Sequence, residues 1–340
     1  MTQSISVAIV GATGVVGETL VEILEERKFP CDELHLLASD RSIGKGYIFR
    51  KKRIPVQDLS EFDFAKVQLA FFSAGSAVSE QYVPKATERG CIVIDNTSRF
   101  RDDTQVPLII PEVNLHALGD YENRKIIANP NCSTIQMLVA LKPIYDAVGI
   151  ERINVATYQS VSGTGKEAIG ELAHQTSQLL NGQPIKPNAY PIQIAFNLIP
   201  HIDDFQENGY TREEMKMVWE TQKILEDTKI QVNPTAVRVP VFFGHSEAIH
   251  IETKEKITAE QARQILSQAP GVKVKDAPKA KGYPSPVVDA AGKDPVFIGR
   301  IREDLSHPRG LNLWVVADNI RKGAALNSIQ IAEEMIRQYL

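Results

Sequence analysis

The first part of the chain alternates short apolar runs with segments of helical periodicity. Residues 5–10 form a near-continuous apolar run, and the segment after them repeats apolar side chains at Val16, Leu20, Ile23 and Leu24. Such runs are typical of strands buried in a parallel sheet, and the period of three to four residues is typical of helices. The alternation predicts a doubly wound α/β domain. Further strands are predicted at 33–38, 69–73 and 91–95, a helix at 78–88, and a hairpin or irregular insertion at 47–56.

After residue 132 the pattern changes to longer alternating strands and to helices in separate blocks, which predicts an α+β domain with a largely antiparallel sheet. The amphipathic segment 324–340 must bury its apolar stripe, and we expect it to pack back on the first domain. The proline-rich segment 181–209 carries apolar residues and is expected to cover a sheet face or a subunit interface. The predicted strands are 153–161, 237–243, 248–253, 296–302 and 311–316, and the predicted helices are 166–180, 212–226 and 258–267, the last with a capping box from Thr258 to Gln261.

Composition narrows the class of protein. A chain of 340 residues is expected to form about two domains. Its net charge of -4 argues against general affinity for nucleic acid, which needs a basic face. The three cysteines match neither a disulfide framework nor a zinc site, so we expect no metal and a reducing compartment. Without a recognisable targeting segment or membrane-spanning run, a cytoplasmic protein with no membrane partner is expected.

A glycine-rich loop follows the first predicted strand and precedes the first predicted helix. Its glycines are spaced by three residues, whereas the first two glycines of the common dinucleotide fingerprint are two apart. Glycines let the backbone turn tightly and let a pyrophosphate approach a helix N-terminus. The loop predicts a Rossmann-like dinucleotide site, with a ligand-free tight turn as the alternative. The candidate contacts are Gly11, Thr13, Gly14, Val15, Val16 and Gly17, with Ser73, Ala74 and Gly75 at the end of another buried strand.

The end of the second predicted strand suggests which dinucleotide binds. Arg41, together with Ser39 and Ser42, is suited to hold a ribose 2′-phosphate, which favours NADP(H). Asp40 could instead accept a ribose 2′-hydroxyl, as an acidic residue does in NAD sites. The residues favour NADP and leave NAD as the alternative.

Cys132 lies at the predicted start of a helix, after an Asn-Pro turn and the apolar run 126–128. Unpaired N–H groups and the helix dipole favour an anion there, and the thiolate is the reactive form of cysteine. The same N–H groups are candidate donors to an oxyanion. The hypothesis is a nucleophilic cysteine; the alternative is a small buried apolar residue.

One histidine and two arginines are further candidates. His245 follows Gly244 at the end of a predicted strand, where we expect it to be exposed and able to shuttle protons. A structural histidine is the alternative. Arg101 and Arg238 would suit a small substrate with two anionic groups, although each could equally form a surface ion pair.

Six motifs distributed over nearly the whole chain resemble those of aspartate-β-semialdehyde dehydrogenases. They are GATGVVG at 11–17, LASDRS at 37–42, NPNCS at 129–133, YQSVSGTG at 158–165, RVPVFFGHSE at 238–247 and ADNIRKGAA at 317–325. The resemblance implies NADPH-dependent reductive dephosphorylation of L-4-aspartyl phosphate through a cysteine thioester. That reaction serves the biosynthesis of lysine, threonine, methionine and isoleucine. It also implies a homodimer, with a dinucleotide-binding domain over 1–128 joined by the helix 321–340 and a catalytic and dimerisation domain over 129–320.

The resemblance also implies a role for each site residue. Cys132 would be the acylated nucleophile, His245 the general acid/base, and Gln159 an orienting group. The substrate would be bound at its α-carboxylate by Arg238, at its α-amino group by Glu213, and at its phosphate by Lys216 and Arg101, with Arg99 as the alternative to Arg101. The nicotinamide would lie beside Ser162, Gly163 and Asn319.

Other functions remain open from the sequence. N-acetyl-γ-glutamyl-phosphate reductase shares the chemistry, but its acetylated substrate has no ammonium group for Glu213. Asn131 and Lys216 likewise favour the aspartyl substrate. A non-catalytic nucleotide-binding homologue and a cysteine hydrolase are weaker alternatives.

Overall fold

The computed structural model describes residues 4–340, except for the side chain of Pro278, and divides the chain into two compact units. Unit 1 contains the chain up to Pro130 together with Ala324–Leu340, and unit 2 is Asn131–Gly323. The boundaries that the resemblance implies, 128/129 and 320/321, differ from these by two and three residues.

Unit 1 is built on a seven-stranded sheet. Its strands are β1 (Ile5–Val10), β2 (Cys31–Ala38), β3 (Gly46–Phe49), β4 (Lys52–Asp58), β5 (Leu69–Phe72), β6 (Ile92–Asp95) and β7 (Ile126–Ala128). Their order is β3-β4-β2-β1-β5-β6-β7, and the neighbours are parallel apart from the hairpin β3–β4. The chain leaves β1 for β2 on one side and returns to β5 on the other, so the carboxyl ends of β1 and β5 form a topological switch point, where open α/β sheets bind ligands. The predicted Rossmann-like fold is confirmed.

The helices of unit 1 are α1 (Val15–Glu26), α2 (Ser76–Glu88), the short α3 (Pro111–Asn114) and the C-terminal α8 (Leu326–Gln338). Ile329 and Met335 of α8 are buried in the same core cluster as Leu20 and Leu24 of α1. Burial of side chains of this size stabilises a fold by about 1.5–3 kcal/mol each. The apolar stripe of the C-terminal helix is therefore buried within unit 1.

Unit 2 contains a six-stranded mixed sheet in the order β11-β12-β13-β10-β8-β9. Its three inner pairs are antiparallel, as expected for a largely antiparallel sheet, whereas the two edge pairs, β11–β12 and β8–β9, are parallel. The parallel pair β8–β9 is possible because a long crossover joins its strands. The strands are β8 (Ile150–Gln159), β9 (Gln231–Arg238), β10 (His245–Thr253), β11 (Val272–Val274), β12 (Val296–Glu303) and β13 (Gly310–Ala317). The helices are α4 (Cys132–Val148), α5 (Lys166–Leu180), α6 (Arg212–Ile224) and α7 (Ala259–Ser267).

The strand predicted at 237–243 is wrong. β9 ends at Arg238, and a turn with Gly244 at φ +89° leads into β10, which begins at His245. Pro240 in this stretch has no N–H to donate to a sheet. His245 therefore opens a strand instead of following one.

The capping box of α7 forms as predicted, whereas the proline-rich segment packs on a helix and not on the expected sheet face. The side chains of Thr258 and Gln261 form the capping box that starts α7. The proline-rich segment 181–209 buries Tyr190, Ile194 and Ile199 against residues of α5. Other apolar side chains near it are largely exposed: Leu180 74%, Phe196 65%, Leu198 57% and Phe205 61%.

Candidate active site

Cys132 is the first residue of α4. Asn131, which precedes it, makes hydrogen bonds through both its backbone and its side chain. The side-chain Oδ1 of Asn131 accepts hydrogen bonds from the N–H groups of Ser133 at 3.0 Å and Thr134 at 3.3 Å. The backbone N–H of Asn131 donates to Glu220 at 2.6 Å, and its Nδ2 donates to Glu213 at 2.9 Å. Asn131 thus anchors the helix start to α6. The N–H groups of Ser133 and Thr134 are therefore already paired within the helix cap.

The three thiols have different surroundings. Cys132 is half-buried, whereas Cys31 and Cys91 are buried. Burial raises the pKa of the Cys31 thiol to about 11 and that of Cys91 to about 12. We expect iodoacetamide at neutral pH to alkylate Cys132 faster than either of the others by about two orders of magnitude or more. Peptide mapping after brief labelling measures this; equal rates in the folded protein would contradict it, and the Cys132→Ser variant controls for background labelling.

A buried carboxylate lies at the centre of the site. Oε1 of Glu213 accepts hydrogen bonds from Nδ2 of Asn131 at 2.9 Å and Nε2 of Gln159 at 3.1 Å. Its Oε2 accepts a hydrogen bond from Lys216 at 3.1 Å. Burial alone would raise the pKa of Glu213, but Lys216, these amide donors and Arg238 together hold it below its usual value. Glu213 is therefore an anion at neutral pH.

Lys216 is shared between two carboxylates. Its Nζ lies 2.7 Å from Oδ2 of Asp203 and 3.1 Å from Oε2 of Glu213. Gln159 lies at the end of β8 and opposite Arg238 in the register of β8 and β9. The structure thus brings the predicted Gln159, Glu213, Lys216 and Arg238 into one cluster with the anchor of Cys132.

His245 is fully buried, which corrects the expectation that it is exposed. Its Nδ1 accepts a hydrogen bond from the backbone N–H of Ser160 at 3.1 Å and lies 3.0 Å from the Oγ of that residue. Its Nε2 is buried without a hydrogen-bond partner. Burial, with a contribution from Arg238, lowers the pKa of His245 well below its usual value. The imidazole is therefore neutral at pH 7.

Arg238 ends β9 and is 5% exposed. Its Nη1 donates to the carbonyl oxygen of Ser160 at 2.7 Å, and its buried Nε has no partner. A buried donor without an acceptor is costly, and a bound anion would satisfy it. A Cβ added to Gly163 would lie 3.0 Å from this Nη1 and 3.4 Å from Nε2 of His245, so the glycine leaves room beside both groups.

Asn319 connects these segments. Its Oδ1 accepts hydrogen bonds from the N–H of Gly244 at 3.0 Å and from the hydroxyl groups of Ser160 at 3.0 Å and Ser162 at 3.2 Å. A Cβ added to Gly323 would lie 2.7 Å from Cβ of Cys132 and 3.7 Å from Cβ of Asn319. Gly323 therefore lies next to both Cys132 and Asn319. Asn319 in turn binds Ser160, which is the hydrogen-bond partner of His245.

Sequence reasoning assigned no role to Ser160, Glu220 or Gly323. Ser160 and Gly323 lie inside two of the quoted motifs, which was a usable signal. No signal in the sequence identifies Glu220, because its contact with Asn131 spans 89 positions of the chain.

Glu247 lies two residues after His245 and is fully buried, opposite Thr157 and Val315 in the sheet. Burial raises the pKa of this carboxyl well above its usual value, although the nearby Gln136 amide opposes the shift. No oxygen of the carboxyl makes a hydrogen bond of normal geometry. The carboxyl therefore keeps its proton to a higher pH in the folded protein than in the unfolded chain.

The Glu247→Gln variant tests that protonation. The folded state binds a proton that the unfolded state releases above about pH 4.3, so this group makes wild-type stability fall as pH rises, by up to about 1.4 kcal/mol per unit. Glutamine is always neutral and lacks this slope. We expect the melting temperature of the variant relative to wild type to increase from pH 5 to pH 8. A difference independent of pH would show that Glu247 titrates normally.

The predicted dinucleotide contacts of unit 1 also come together. Gly11 has φ +87°, and an added Cβ would lie 2.9 Å from the backbone nitrogen of Ala74. A Cβ at Gly17 would lie 2.2 Å from the carbonyl oxygen of Gly11, so the helix packs on the loop only with glycine there. Oγ1 of Thr13 lies 3.3 Å from Oγ of Ser42. Gly14 is the N-cap of α1, Val15 and Val16 begin that helix, and Ser73 and Gly75 follow β5.

The basic residues of unit 1 differ in exposure. Arg41 is exposed after β2, and its backbone N–H donates to Oδ1 of Asp40 at 2.7 Å. Arg99 is exposed and lies 3.1 Å from Glu80. Arg101 is 8% exposed, and its Nη2 donates to the carbonyl oxygen of Asn96 at 2.9 Å. Of the two alternatives, Arg101 is the one held in place by buried contacts.

Residues 4–340 contain no group of three or more His, Cys, Asp or Glu side chains placed to hold a metal ion. Within the same range, every helix is too short or too polar to cross a membrane.

Known proteins match this chain over its full length. Residues 6–121 match the family model described as semialdehyde dehydrogenase, NAD binding domain, and residues 141–322 match the semialdehyde dehydrogenase dimerisation domain. An aspartate-semialdehyde dehydrogenase of Legionella pneumophila is 62% identical over 340 residues, covering 100% of this chain and 98% of that protein. The chain belongs to the aspartate-semialdehyde dehydrogenase family. This confirms the family predicted from the six motifs and disfavours the N-acetyl-γ-glutamyl-phosphate reductase alternative.

Solved structures of aspartate semialdehyde dehydrogenases have the same fold as this chain. Aspartate semialdehyde dehydrogenase II from Vibrio cholerae, solved as a complex with ASA, superposes with a TM-score of 0.98 at 60% identity, covering 99% of this chain and 100% of that one. A Candida albicans aspartate semialdehyde dehydrogenase solved with NADP has a TM-score of 0.75 at 25% identity, covering 98% of each chain. The fold of this family therefore extends over both units.

Proposed function

We propose that this protein reduces L-4-aspartyl phosphate to L-aspartate 4-semialdehyde with NADPH and releases phosphate. The observation that carries the proposal is Cys132 at the N-terminus of α4, tied to a cluster that contains a neutral histidine, a buried arginine and a buried carboxylate. The names of the similar proteins support the same substrate. The reaction would serve the biosynthesis of lysine, threonine, methionine and isoleucine, and we place it in the cytoplasm.

The charges of the cluster match an amino acid. Glu213 is an anion with a fixed position, suited to an α-ammonium group. Arg238 has a buried Nε without an acceptor, suited to an α-carboxylate. Lys216 and Arg101 are proposed as ligands of the phosphate. The anionic Glu213 favours a substrate with a free amino group over an acetylated one, because an amide nitrogen carries no positive charge.

The residues support a two-step reaction. The thiolate of Cys132 attacks the acyl carbon, and phosphate leaves, so that a thioester replaces the acyl phosphate. Bound reduced nicotinamide supplies the hydride that the thioester accepts. The thiolate then leaves as the aldehyde forms. Gln159 is held by Glu213 and is proposed to orient the acyl group, and Ser162, Gly163 and Asn319 are proposed to lie beside the nicotinamide.

The direct test runs the reaction in reverse. Purified protein is mixed with NADP, phosphate and aspartate semialdehyde, and formation of NADPH is followed by absorbance. We expect reduction that depends on all three components. Activity only with N-acetylglutamate semialdehyde would overturn the substrate, and activity without phosphate would overturn the acyl-phosphate chemistry.

We propose NADP(H) over NAD(H), because Arg41, Ser39 and Ser42 follow β2 and Ser42 contacts the glycine-rich loop through Thr13. Arg41→Ala is expected to weaken binding of NADPH about tenfold and leave binding of NADH within about twofold, since only the former carries the 2′-phosphate. Fluorescence titration measures both affinities. Lys52→Ala, a change of an exposed cation on β4, is the control. An equal loss of affinity for both nucleotides would show that Arg41 does not bind the 2′-phosphate.

We propose a homodimer formed through unit 2. Leu180, Phe196, Leu198 and Phe205 expose apolar surface there, and large exposed apolar patches mark interaction sites. The match to a dimerisation domain supports a second copy of the chain as the partner. Sedimentation analysis should give a dimer at micromolar concentration, and Phe196→Glu should shift it toward the monomer. A wild-type monomer would contradict the proposal.

A further inference from the structure

The proline-rich segment 181–209 contacts the backbone of the arginine proposed to bind the substrate α-carboxylate. Ile199 forms an isolated antiparallel bridge with Arg238. The N–H of Ile199 donates to the carbonyl oxygen of Arg238 at 3.0 Å, and the N–H of Arg238 donates to the carbonyl oxygen of Ile199 at 2.8 Å. Because β9 is the edge strand of its sheet, the segment covers that edge where Arg238 ends the strand.

Tyr190 of the same segment contacts the side chain of Arg238. Tyr190 is 8% exposed, and its ring centroid lies 6.0 Å from Cζ of the guanidinium. A cation over the face of an aromatic ring is attracted by the ring quadrupole. The tyrosine hydroxyl donates to Oγ1 of Thr164 at 3.1 Å. Burial raises the pKa of Tyr190, although Arg238 and Thr164 oppose the shift, so the hydroxyl remains a donor at neutral pH.

The contacts of Tyr190 leave the free donor of the guanidinium available. Nη1 of Arg238 is bound to the carbonyl oxygen of Ser160, and the buried Nε has no hydrogen-bond partner. A ring face attracts the positive charge without accepting a hydrogen bond at Nε in this structure. A carboxylate in the place of the ring would instead neutralise the charge and compete with an anionic substrate. An aromatic residue is therefore suited to hold this arginine without occupying it.

The backbone on both sides of Tyr190 is fixed to α5. Oε2 of Glu171 accepts a hydrogen bond from the N–H of Asn188 at 3.2 Å, and Oε1 of Gln175 accepts one from the N–H of Ile194 at 3.0 Å. Glu171 and Gln175 are both buried. Buried polar side chains that satisfy backbone donors in this way hold a segment without regular secondary structure in one conformation.

We propose that Tyr190 is a positioning residue that holds the guanidinium of Arg238 ready for the substrate α-carboxylate, and that the proline-rich segment is the frame that holds Tyr190. The inference rests on the proposed function, because it deepens the role given there to Arg238. An arginine side chain has many rotamers, and a binding site that immobilises it in advance avoids part of the entropic cost of binding. Pro191, directly after Tyr190, further restricts the tyrosine backbone to extended conformations.

Replacement of the ring tests the role in catalysis. Leucine keeps an apolar side chain in the core cluster but has no ring face for the guanidinium. We expect Tyr190→Leu to raise KM for aspartate semialdehyde about tenfold, because it loses the cation–π contact and the preorganisation of Arg238. The kcat of this variant should stay within about threefold of wild type, since the reacting groups are unchanged. Tyr190→Phe keeps the ring, so its KM should stay within about threefold of wild type. An unchanged KM in Tyr190→Leu, or an equal increase in both variants, would overturn the inference.

Two comparisons separate positioning from a general loss of structure. Leu172→Ala removes buried apolar volume from the same core cluster and should lower the melting temperature without changing KM. With 3-aminopropanal, which has no α-carboxylate, Tyr190→Leu should match wild type. In the Arg238→Ala background, Tyr190→Leu should raise KM no further, because residues that act through one another are not additive. An equal loss on both substrates would show that the ring has only a structural role.

NMR tests the contact without the reaction. In protein labelled with nitrogen-15 arginine, the buried Nε–H of Arg238 should give a signal that exchanges slowly with water, and Arg238→Lys assigns it by removing it. The signal should persist in Tyr190→Phe and Leu172→Ala and exchange at least about tenfold faster in Tyr190→Leu. Unchanged exchange in Tyr190→Leu would refute the inference. If wild type is inactive with aspartate semialdehyde, the proposed function falls, but the exchange rates still decide whether Tyr190 holds Arg238.

Discussion

Replacing Cys132 by serine is expected to lower kcat for NADP reduction by about four orders of magnitude or more. Removal of a catalytic nucleophile has effects of this size because no other group can form the covalent intermediate. A serine hydroxyl keeps the size of the side chain but stays protonated at neutral pH. The variant should retain its fold, because the N-cap hydrogen bonds of α4 come from Asn131 and not from the thiol.

Three measurements make this result decisive. Steady-state kinetics give kcat, and a melting curve shows that the variant is folded. Single-turnover experiments with aspartyl phosphate should show a covalent acyl adduct by mass spectrometry in wild type and none in the variant. The control is Cys91→Ala, which removes a sulfur from the core of unit 1 and should keep kcat within about twofold. A Cys132→Ser enzyme that retained a tenth of its activity would refute nucleophilic catalysis at this residue.

Replacing Arg238 by alanine is expected to lower kcat/KM for aspartate semialdehyde by about three orders of magnitude. The variant would lose the proposed partner of the substrate carboxylate together with a buried hydrogen bond to the carbonyl oxygen of Ser160. That carbonyl belongs to the residue that orients His245, so kcat should fall as well as affinity. Arg238→Lys should recover only part of the loss, because an ammonium group lacks the planar fork of a guanidinium.

A substrate without the α-carboxylate separates these contributions. With 3-aminopropanal, wild type should be poor, and Arg238→Ala should be reduced only by the part of the effect that acts through Ser160. Arg337→Ala, which removes an exposed guanidinium from α8, is the control and should change neither parameter. If Arg238→Ala lost equal activity on both substrates, Arg238 would be structural and the carboxylate would bind elsewhere.

Local patterns were sufficient for most of unit 1. The alternation of apolar runs with helical periodicity predicted β1, α1, β2 and β5, and the spacing of Gly11, Gly14 and Gly17 predicted the loop between β1 and α1. These features depend on residues close together in the chain. The C-terminal helix followed from the same short-range rules, and of the two alternatives for 47–56, a hairpin or an irregular insertion, the structure has the hairpin β3–β4.

The candidate site was only partly predictable. The helix start at Cys132 follows from the Asn-Pro-Asn turn before it, but the two carboxylates that hold Asn131 lie on α6, 82 and 89 positions away. The sequence also did not show that the side chain of Asn131 occupies two of the N–H groups at the helix start, those of Ser133 and Thr134. His245 was expected on the surface because a glycine precedes it, yet packing around β10 buries it completely.

The amino-acid sequence by itself determined the order of strands and helices in unit 1, the glycine loop, the helical position of Cys132 and the family, because each depends on neighbouring residues or on contiguous motifs. Only the tertiary structure decided the mixed sheet of unit 2, the burial of His245, its hydrogen bond from Ser160 and the charge of Glu213. Those properties arise from groups distant in the chain, whose burial and mutual contacts exist only after the chain has packed.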